Sequence, residues 1–490
     1  MVAALAILAV LVHGFHVGIE DEAIYLPAIK KQLTPGLYPY DSVFFFAQTR
    51  YTLFPELVAF MVRVTEIPLR FVLFANHVLS IFLVLLGCLH LSRECFENRS
   101  AHWGSVAMIA ALLTIPVTGT ALYIMDQHLH PRSLATAAIL FSITFVLKKR
   151  LASAVLCMAA AGLIHAQMTF YGLIFLILFS LMRLAVTGGA GAAAIFAIAD
   201  PGAEPEWTSE IWTRIIPTRT HHYPLKWPWY EWLGIAAPIL LLLWFSKLRP
   251  KKDSLVFSRL CRSLALFGAL NTIAAIVLTS APQFRGLANL QPMRSFQLVY
   301  LIFFLLLGGM LGNWVLKNKP LRWAVLFIPL CTGMFVAQRA EFPASPHIEL
   351  AGRASNDWLQ AFDWIRLNTP RDAFFALDPN YMRRPGEDFH GFRALAERSM
   401  MADYVKDVAV VALALTARKI GADSTSGPSG VPHIWFEHMN ALRGWKDFTV
   451  SDFQNLRKKF GVSWVVLEQP GIAGLECPYE NGSVKVCRIP

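Results

Sequence analysis

Three carboxylates stand side by side at Glu20-Asp21-Glu22, directly after an apolar run from Met1 to Gly18. Ionisable groups where a chain leaves an apolar segment are costly to keep dry, so they are functional candidates by default. Asp41, beyond the Pro-punctuated stretch Leu33 to Tyr40, is a fourth candidate. A carboxylate can take a proton from an attacking oxygen or hold a divalent cation such as Mg or Mn. A second group is cationic or imidazole-bearing: Asp126, His128, His130 and Arg132 in one short segment, His165 at a tight turn, and Gln291 with Arg294 in another. An arginine binds phosphate through its planar fork and offsets charge on a leaving group, and histidines donate to phosphate or sugar oxygens. His221-His222, near Arg214 and Arg219, lies in a Trp-rich segment with no anchor of its own.

Each candidate has a plainer reading. Glu20-Asp21-Glu22 would favour the dipole of a following helix. Asp41 would cap a turn, and Pro131 would open a helix. Arg294 would anchor at the membrane interface, and His165 would be a polar tip. His128 and His130 lie two apart, do not share a helix face, and come with no identifiable third metal ligand.

The elements that position these residues are read from composition. The chain has 490 residues, 55% hydrophobic and 16% charged, with a mean hydropathy of +0.47. Soluble chains carry about a quarter charged residues, so a polytopic membrane protein is expected. The formal charge is +11. From Glu341 onward 17 Lys/Arg face 18 Asp/Glu, so the excess lies in the connections between apolar segments. That distribution points to membrane orientation and away from nucleic acid. The first segment has no basic leading region and no small-residue cleavage site, so no cleavable signal is expected. It is short for a span, which suits a start further upstream.

Candidate spans are about 2–18, 67–92, 103–122, 133–147, 151–166, 168–184, 231–246, 263–281, 295–316 and 322–339, with the Gly-rich stretch 185–199 as an eleventh. Basic clusters lie at Arg93 and Arg99, Lys148 to Arg150, Lys247 to Arg262, and Lys317 to Arg322. All fall on one side when 185–199 also crosses, giving about eleven helices with the N-terminus inside. The opposite face then collects 19–66, Asp126 to Arg132, Asp200 to Glu231, Gln283 to Arg294 and the tail.

The fold class expected is therefore an all-α membrane domain over 1–340, with an acidic first outer loop at 19–66, followed by an extracytoplasmic α/β domain over 341–490. In the tail, Ser355-Asn356-Asp357 followed by Trp358, Phe362 and Ile365 reads as a capped amphipathic helix that stops at Thr369-Pro370. Ala373–Leu377 and Val462–Leu467 read as strands. Val405–Ile420 reads as a helix, Ser424–Gly430 as a loop, and Asp452–Phe460 as a helix capped by Ser451. Cys477 and Cys487 flank an Asn481-Gly482 hairpin signal and could pair outside the cytoplasm.

Several of these residues carry a family resemblance. The run Glu20-Asp21-Glu22-x-x-Tyr25-x-Pro27 with Asp41 beyond it is similar to the acidic first loops of the GT-C superfamily, integral-membrane glycosyltransferases that use polyprenyl-phosphate-linked sugars. Asp126 to Arg132, Gln291 to Arg294, Trp364-Ile365-Arg366-x-Asn368-Thr369-Pro370 and Phe392-Arg393-Ala394-x-Ala396-x-Arg398-Ser399 resemble elements of an uncharacterised bacterial branch. The resemblance covers nearly the whole chain in layout, and its motifs are short. It implies a bacterial inner-membrane protein at the lipid bilayer. Sugar would pass from a polyprenyl-phosphate donor to an envelope glycan, lipid or protein acceptor, as in cell-envelope polysaccharide synthesis. Asp21 or Glu22 would be the base or metal ligand, and Arg132 or Arg294 the phosphate binder. Three adjacent acids depart from the usual one or two, and neighbours about 100° apart on a helix cannot all serve one site. The alternative is a non-enzymatic assembly protein or transporter for envelope polysaccharide. Transport would call for charges near the bilayer midplane, whereas here they gather at one face.

Overall fold

The computed structural model describes residues 1–184, 206–248, 250–251, 255–280, 282–350, 356–384, 387–419 and 430–490. The expected span at 185–199 and most of the expected loop at 424–430 lie outside the described residues. The chain is mostly helical, 68%. It divides into two compact units. One holds Met1–Gly14, Phe74–Gly202 and Arg219–Gln338; the other holds Phe15–Leu73, Ala203–Thr218 and Arg339–Pro490.

Among the described residues, four helices are long and apolar enough to cross a membrane: Leu69–Cys95, Val256–Ser280, Leu287–Leu316 and Pro320–Glu341. Val2–His13, Pro131–Leu147, Leu151–Ile164, Ala166–Met182 and Trp229–Phe245 are apolar but shorter. The expected span at 103–122 is corrected: its helix is Arg99–Ala111, after which Pro116–Val117 pairs antiparallel with Leu122–Tyr123. Pro116 has no N–H to continue a helical ladder. In the first unit, helices Arg99–Ala111 and Phe296–Leu311 pack at backbone distance. A Cβ on Gly308 would come within 2.4 Å of the Gly104 carbonyl oxygen, and one on Gly104 equally close to that of Gly308. Small residues let membrane helices approach this closely.

The second unit is built on a five-stranded sheet ordered 399–400, 374–376, 464–468, 484–488, 476–480. The first three strands are parallel, and the last two pairings antiparallel. Phe374 and Ala376 pack to one face with Trp435 and Phe453; Phe375 packs to the other with Trp358 and Phe362. The period-2 side-chain alternation of a strand produces this two-sided core. Asn356 caps Asp357–Asn368, accepting from the N–H groups of Trp358 (2.7 Å) and Leu359 (3.4 Å). The cap expected at Ser451 is corrected. Helix Val450–Phe460 is capped by Thr449 in a reciprocal box with Asp452, whose carboxylate returns to the Thr449 N–H at 2.8 Å. The box satisfies two donors, which Ser451 inside the first turn could not do. Cys477 and Cys487 are joined by a disulfide across the last hairpin.

The Gly104–Gly308 contact gives a stability test. Gly308→Leu overpacks the helix pair and costs about 1–3 kcal/mol or more, read as a lowered melting temperature in detergent. Gly333→Leu, where nothing lies within 4 Å of an added Cβ, should leave it unchanged. Equal melting of the two variants would contradict the close packing.

Candidate functional site

Two groups of side chains carry the chemistry, one in each unit. In the second unit the acidic residues are set by main-chain pairing. Phe15 bridges Ile348 in parallel and Ile19 bridges His390 antiparallel. The Glu20 N–H donates to the Phe389 carbonyl at 3.2 Å, and the Gly391 N–H to that of Gly18 at 2.8 Å. A Cβ on Gly391 would meet that of Ala23 at 2.4 Å, so only glycine permits this approach. Glu20, Asp388 and Phe389 all have positive φ (47°, 54° and 61°). Such conformations cost of order 1–3 kcal/mol each and persist where the surroundings enforce them.

The three acids then separate. Glu22 opens helix Glu22–Leu33 and is 1% exposed. One oxygen accepts from the Gly18 N–H at 2.5 Å, and Oε1 is buried without a hydrogen-bond partner. Burial pushes its pKa up to about 8, and Glu349 adds to the rise. Glu20 and Asp21 stay partly exposed, 36% and 30% at the side chain. Both accept from Lys406 Nζ, Asp21 at 3.2 Å. Burial alone would lower the Lys406 pKa, but the two carboxylates raise it. Glu20 and Asp21 are thus the accessible members, sharing Lys406, and Glu22 is the buried acid.

Lys406 sits at the start of helix Asp407–Lys419. Asp403 accepts from the N–H groups of Val405, Lys406 and Asp407 at 2.8, 2.6 and 3.2 Å. Asp407 takes both terminal nitrogens of Arg393 at 2.8 Å. Burial and the neighbouring Asp407 raise the Asp403 pKa to about 6. Beside Arg393, Asp403, Lys406 and Asp407 lies a void of about 10 Å³, room for about one water. Asp41 has positive φ (52°) and makes no side-chain cap. It faces His438 Nε2 at 3.6 Å. His438 Nδ1 accepts the Ala402 N–H at 3.1 Å, which leaves the ring proton on Nε2, toward Asp41. Glu349 joins two histidines: His16 Nδ1 at 2.9 Å and His390 Nε2 at 3.4 Å. Burial alone would raise Glu349, but the bonds to His16 and His390 hold it at about 2.

In the first unit Asp126 and Arg132 form a buried pair, one guanidinium nitrogen 2.6 Å from each carboxylate oxygen. Burial would raise Asp126, but Arg132, His130 and His128 bring it to about 2. His130 Nδ1 accepts the Arg132 N–H at 2.9 Å and caps Pro131–Leu147. The His128–His130 and His130–His165 rings are each 5.8 Å apart. His165 ends helix Leu151–Ile164 and lies near His130, Arg132 and Arg294. Tyr171 donates to the carbonyls of Leu290 (2.5 Å) and Gln291 (2.8 Å), fixing the turn that carries Arg294. Arg294 also acts on His222, whose pKa burial, His221 and Arg219 hold low. The structure thus brings together Asp126, His128, His130, Arg132, His165, Gln291 and Arg294, and adds Tyr171, Arg219, His221 and His222.

Lys406, Asp403, Asp407, Glu349, His16, His390 and His438 escaped the sequence reading, and Arg393 entered it only as part of a motif, with no role. The Asp403-x-x-Lys406-Asp407 run before a predicted helix was a legible capping signal; Glu349 carries no local signal. Among the described residues, no group of three or more His, Cys, Asp or Glu side chains is placed to hold a metal ion.

A family model for a domain of unknown function, DUF6798, matches residues 356–417. The matched stretch contains His390, Arg393, Asp403, Lys406 and Asp407. No curated protein matches the chain.

The buried acid has a pH signature. Because the folded pKa of Glu22 is raised from 4.5 to about 8, its stabilising contribution is full below about pH 4.5 and is lost as pH rises through about 8. Wild-type stability should fall across that window more steeply than Glu22→Gln, by up to about 1.4 kcal/mol per pH unit. Thermal melts from pH 5 to 8.5 measure this, and parallel curves would remove the buried acid.

Proposed function

We propose that this chain is an inverting membrane glycosyltransferase that moves a sugar from a polyprenyl-phosphate donor to an envelope glycan, lipid or protein acceptor. The observation that carries the reading is the convergence of Arg294 with His165, His222 and Tyr171 beside the Asp126–Arg132 pair. Such a cluster suits a phosphate: guanidiniums supply fixed charge, and neutral imidazoles supply donors. The acceptor oxygen attacks the anomeric carbon as the bond to the phosphate oxygen breaks. The acceptor proton passes to a carboxylate base, for which Asp21 of the second unit is the candidate, and the lipid phosphate leaves with the bonding electrons.

The reading includes about eleven membrane helices in a bacterial inner membrane. The basic connections face the cytoplasm, and residues 341–490 lie outside. The resemblance of the acidic first loop to GT-C enzymes supports the donor class.

The test is native mass spectrometry of delipidated protein with added undecaprenyl phosphate. Wild type and Asp21→Asn should retain the lipid, and Arg294→Ala should retain at least about tenfold less. With a membrane extract supplying sugar donors and acceptors, Asp21→Asn should lower transfer about 10²-fold or more. Full retention by Arg294→Ala together with full transfer by Asp21→Asn would replace this reading with the assembly-protein one.

A further inference from the structure

An apolar cleft lies elsewhere in the first unit. Helices Val2–His13, Arg99–Ala111 and Pro320–Glu341 enclose an apolar cleft of about 410 Å³. One wall is Leu5, Leu8 and Val12, another is Trp323, Phe327 and Cys331, and the third is Trp103 with Ala107, Ala110 and Ala111. Each set recurs at three or four residues and so forms a continuous helical stripe. The alanines make the space: larger side chains there would fill it. From Trp323 to Cys331 the cleft runs for eight residues, about 12 Å along the helix. An apolar cavity of this kind stays dry and takes apolar ligands. Helix Pro320–Glu341 is one of the four able to cross a membrane, and its most apolar stretch is not packed inside the protein. Hydrocarbon from the bilayer is therefore the material at hand to fill the gap.

The mouth says which lipid. Helix Arg99–Ala111 begins at Arg99, and Lys317, Lys319 and Arg322 cluster around the start of Pro320–Glu341; all four are exposed. The two segments are tied together at this rim: Ser100 donates to Asn318 at 3.0 Å, and Asn98 to Asn313. Trp323, at the top of the cleft, donates its indole N–H to the Lys317 carbonyl at 3.0 Å, as an interfacial tryptophan does. Basic pockets between membrane helices recognise anionic head groups.

We infer that this cleft binds one anionic diacyl phospholipid, an acyl chain between the three helices and the phosphate on the Arg99–Lys317–Lys319–Arg322 rim. The site bridges a helix that otherwise stands in bilayer to the body of its unit. It is independent of what the chain transfers.

The experiment is native mass spectrometry of the full chain, delipidated and offered dioleoyl phosphatidylglycerol and dioleoyl phosphatidylcholine at equal concentration. Wild type should retain one phosphatidylglycerol, about tenfold in preference. The double variant Arg99→Gln, Lys319→Gln should lose the preference while still binding either lipid. Ala107→Trp should lose both, with its helical circular dichroism unchanged. No head-group preference in wild type would overturn the assignment. So would a rim variant that keeps the preference, or undecaprenyl phosphate displacing phosphatidylglycerol at equal concentration. If Ala107→Trp fails to fold, the rim variant alone decides.

Discussion

Everything at the acidic face depends on a short stretch of main-chain pairing between segments some 330 residues apart. Phe15 exchanges hydrogen bonds with the strand around Ile348, and Gly18 and Glu20 with Phe389 and Gly391. This pairing sets the direction in which each of three adjacent acids points. Glu22 is turned inward against the Gly18 N–H, and Glu20 and Asp21 are left toward Lys406. An ionised carboxylate in Glu22's position would pay a desolvation penalty that one short hydrogen bond does not offset, so it holds its proton instead. Three adjacent carboxylates, alike in the sequence, thus end in different surroundings: one buried against a main-chain N–H and two beside a lysine.

The same face concentrates carboxylates where a helix begins. Asp403 and Asp407 sit at the N-terminus of Asp407–Lys419, where exposed N–H groups favour negative charge. Arg393 then answers Asp407 through both terminal nitrogens, and its guanidinium lies 4.4 Å over the Phe45 ring. Tyr38 fixes the backbone of Arg393 with a 2.7 Å bond to its carbonyl. The first loop and the tail are therefore joined by charge, ring contact and hydrogen bond within one unit. The stretch matched by DUF6798 supplies the tail's half of that junction.

What was legible in the sequence was local. The Asn356 cap, the Asn481-Gly482 hairpin and the stop at Thr369-Pro370 need only neighbours a few residues away, and the helices and turns stand there. Asp41 shows the limit. Its place after Pro39-Tyr40 was visible, but its partner His438 lies on helix Val431–Ala441, which no capping or periodicity argument had singled out. Pairing across hundreds of residues leaves no periodic trace in one sequence, so Glu349, Lys406 and Gly391 were invisible as parts of a site. The expected span at 103–122 failed for a related reason. Hydropathy counts apolar residues but not where backbone hydrogen bonds must stop, as Pro116 stops them after Ala111.

The first unit's cluster carries an electrostatic asymmetry that fits the proposed chemistry. Arg132, Arg219 and Arg294 are three guanidiniums, and Asp126 is spent on Arg132. His222 is held neutral, so it contributes a donor without adding charge. A sugar-phosphate diester carries one negative charge. The lipid phosphate monoester that departs carries nearly two at neutral pH, its second pKa being about 6. On the proposed reading, a site whose named groups sum to about +2 would bind the leaving group more strongly than the donor. That preference grows as the glycosidic bond breaks, and interactions that strengthen along the reaction are the ones that accelerate it. A carboxylate at the position of Arg294 would bring that sum to about zero and abolish the preference, and more protonated histidines would hold donor and product alike more tightly. Keeping the His222 imidazole neutral by burial, while the guanidiniums stay charged, is how the cluster avoids both.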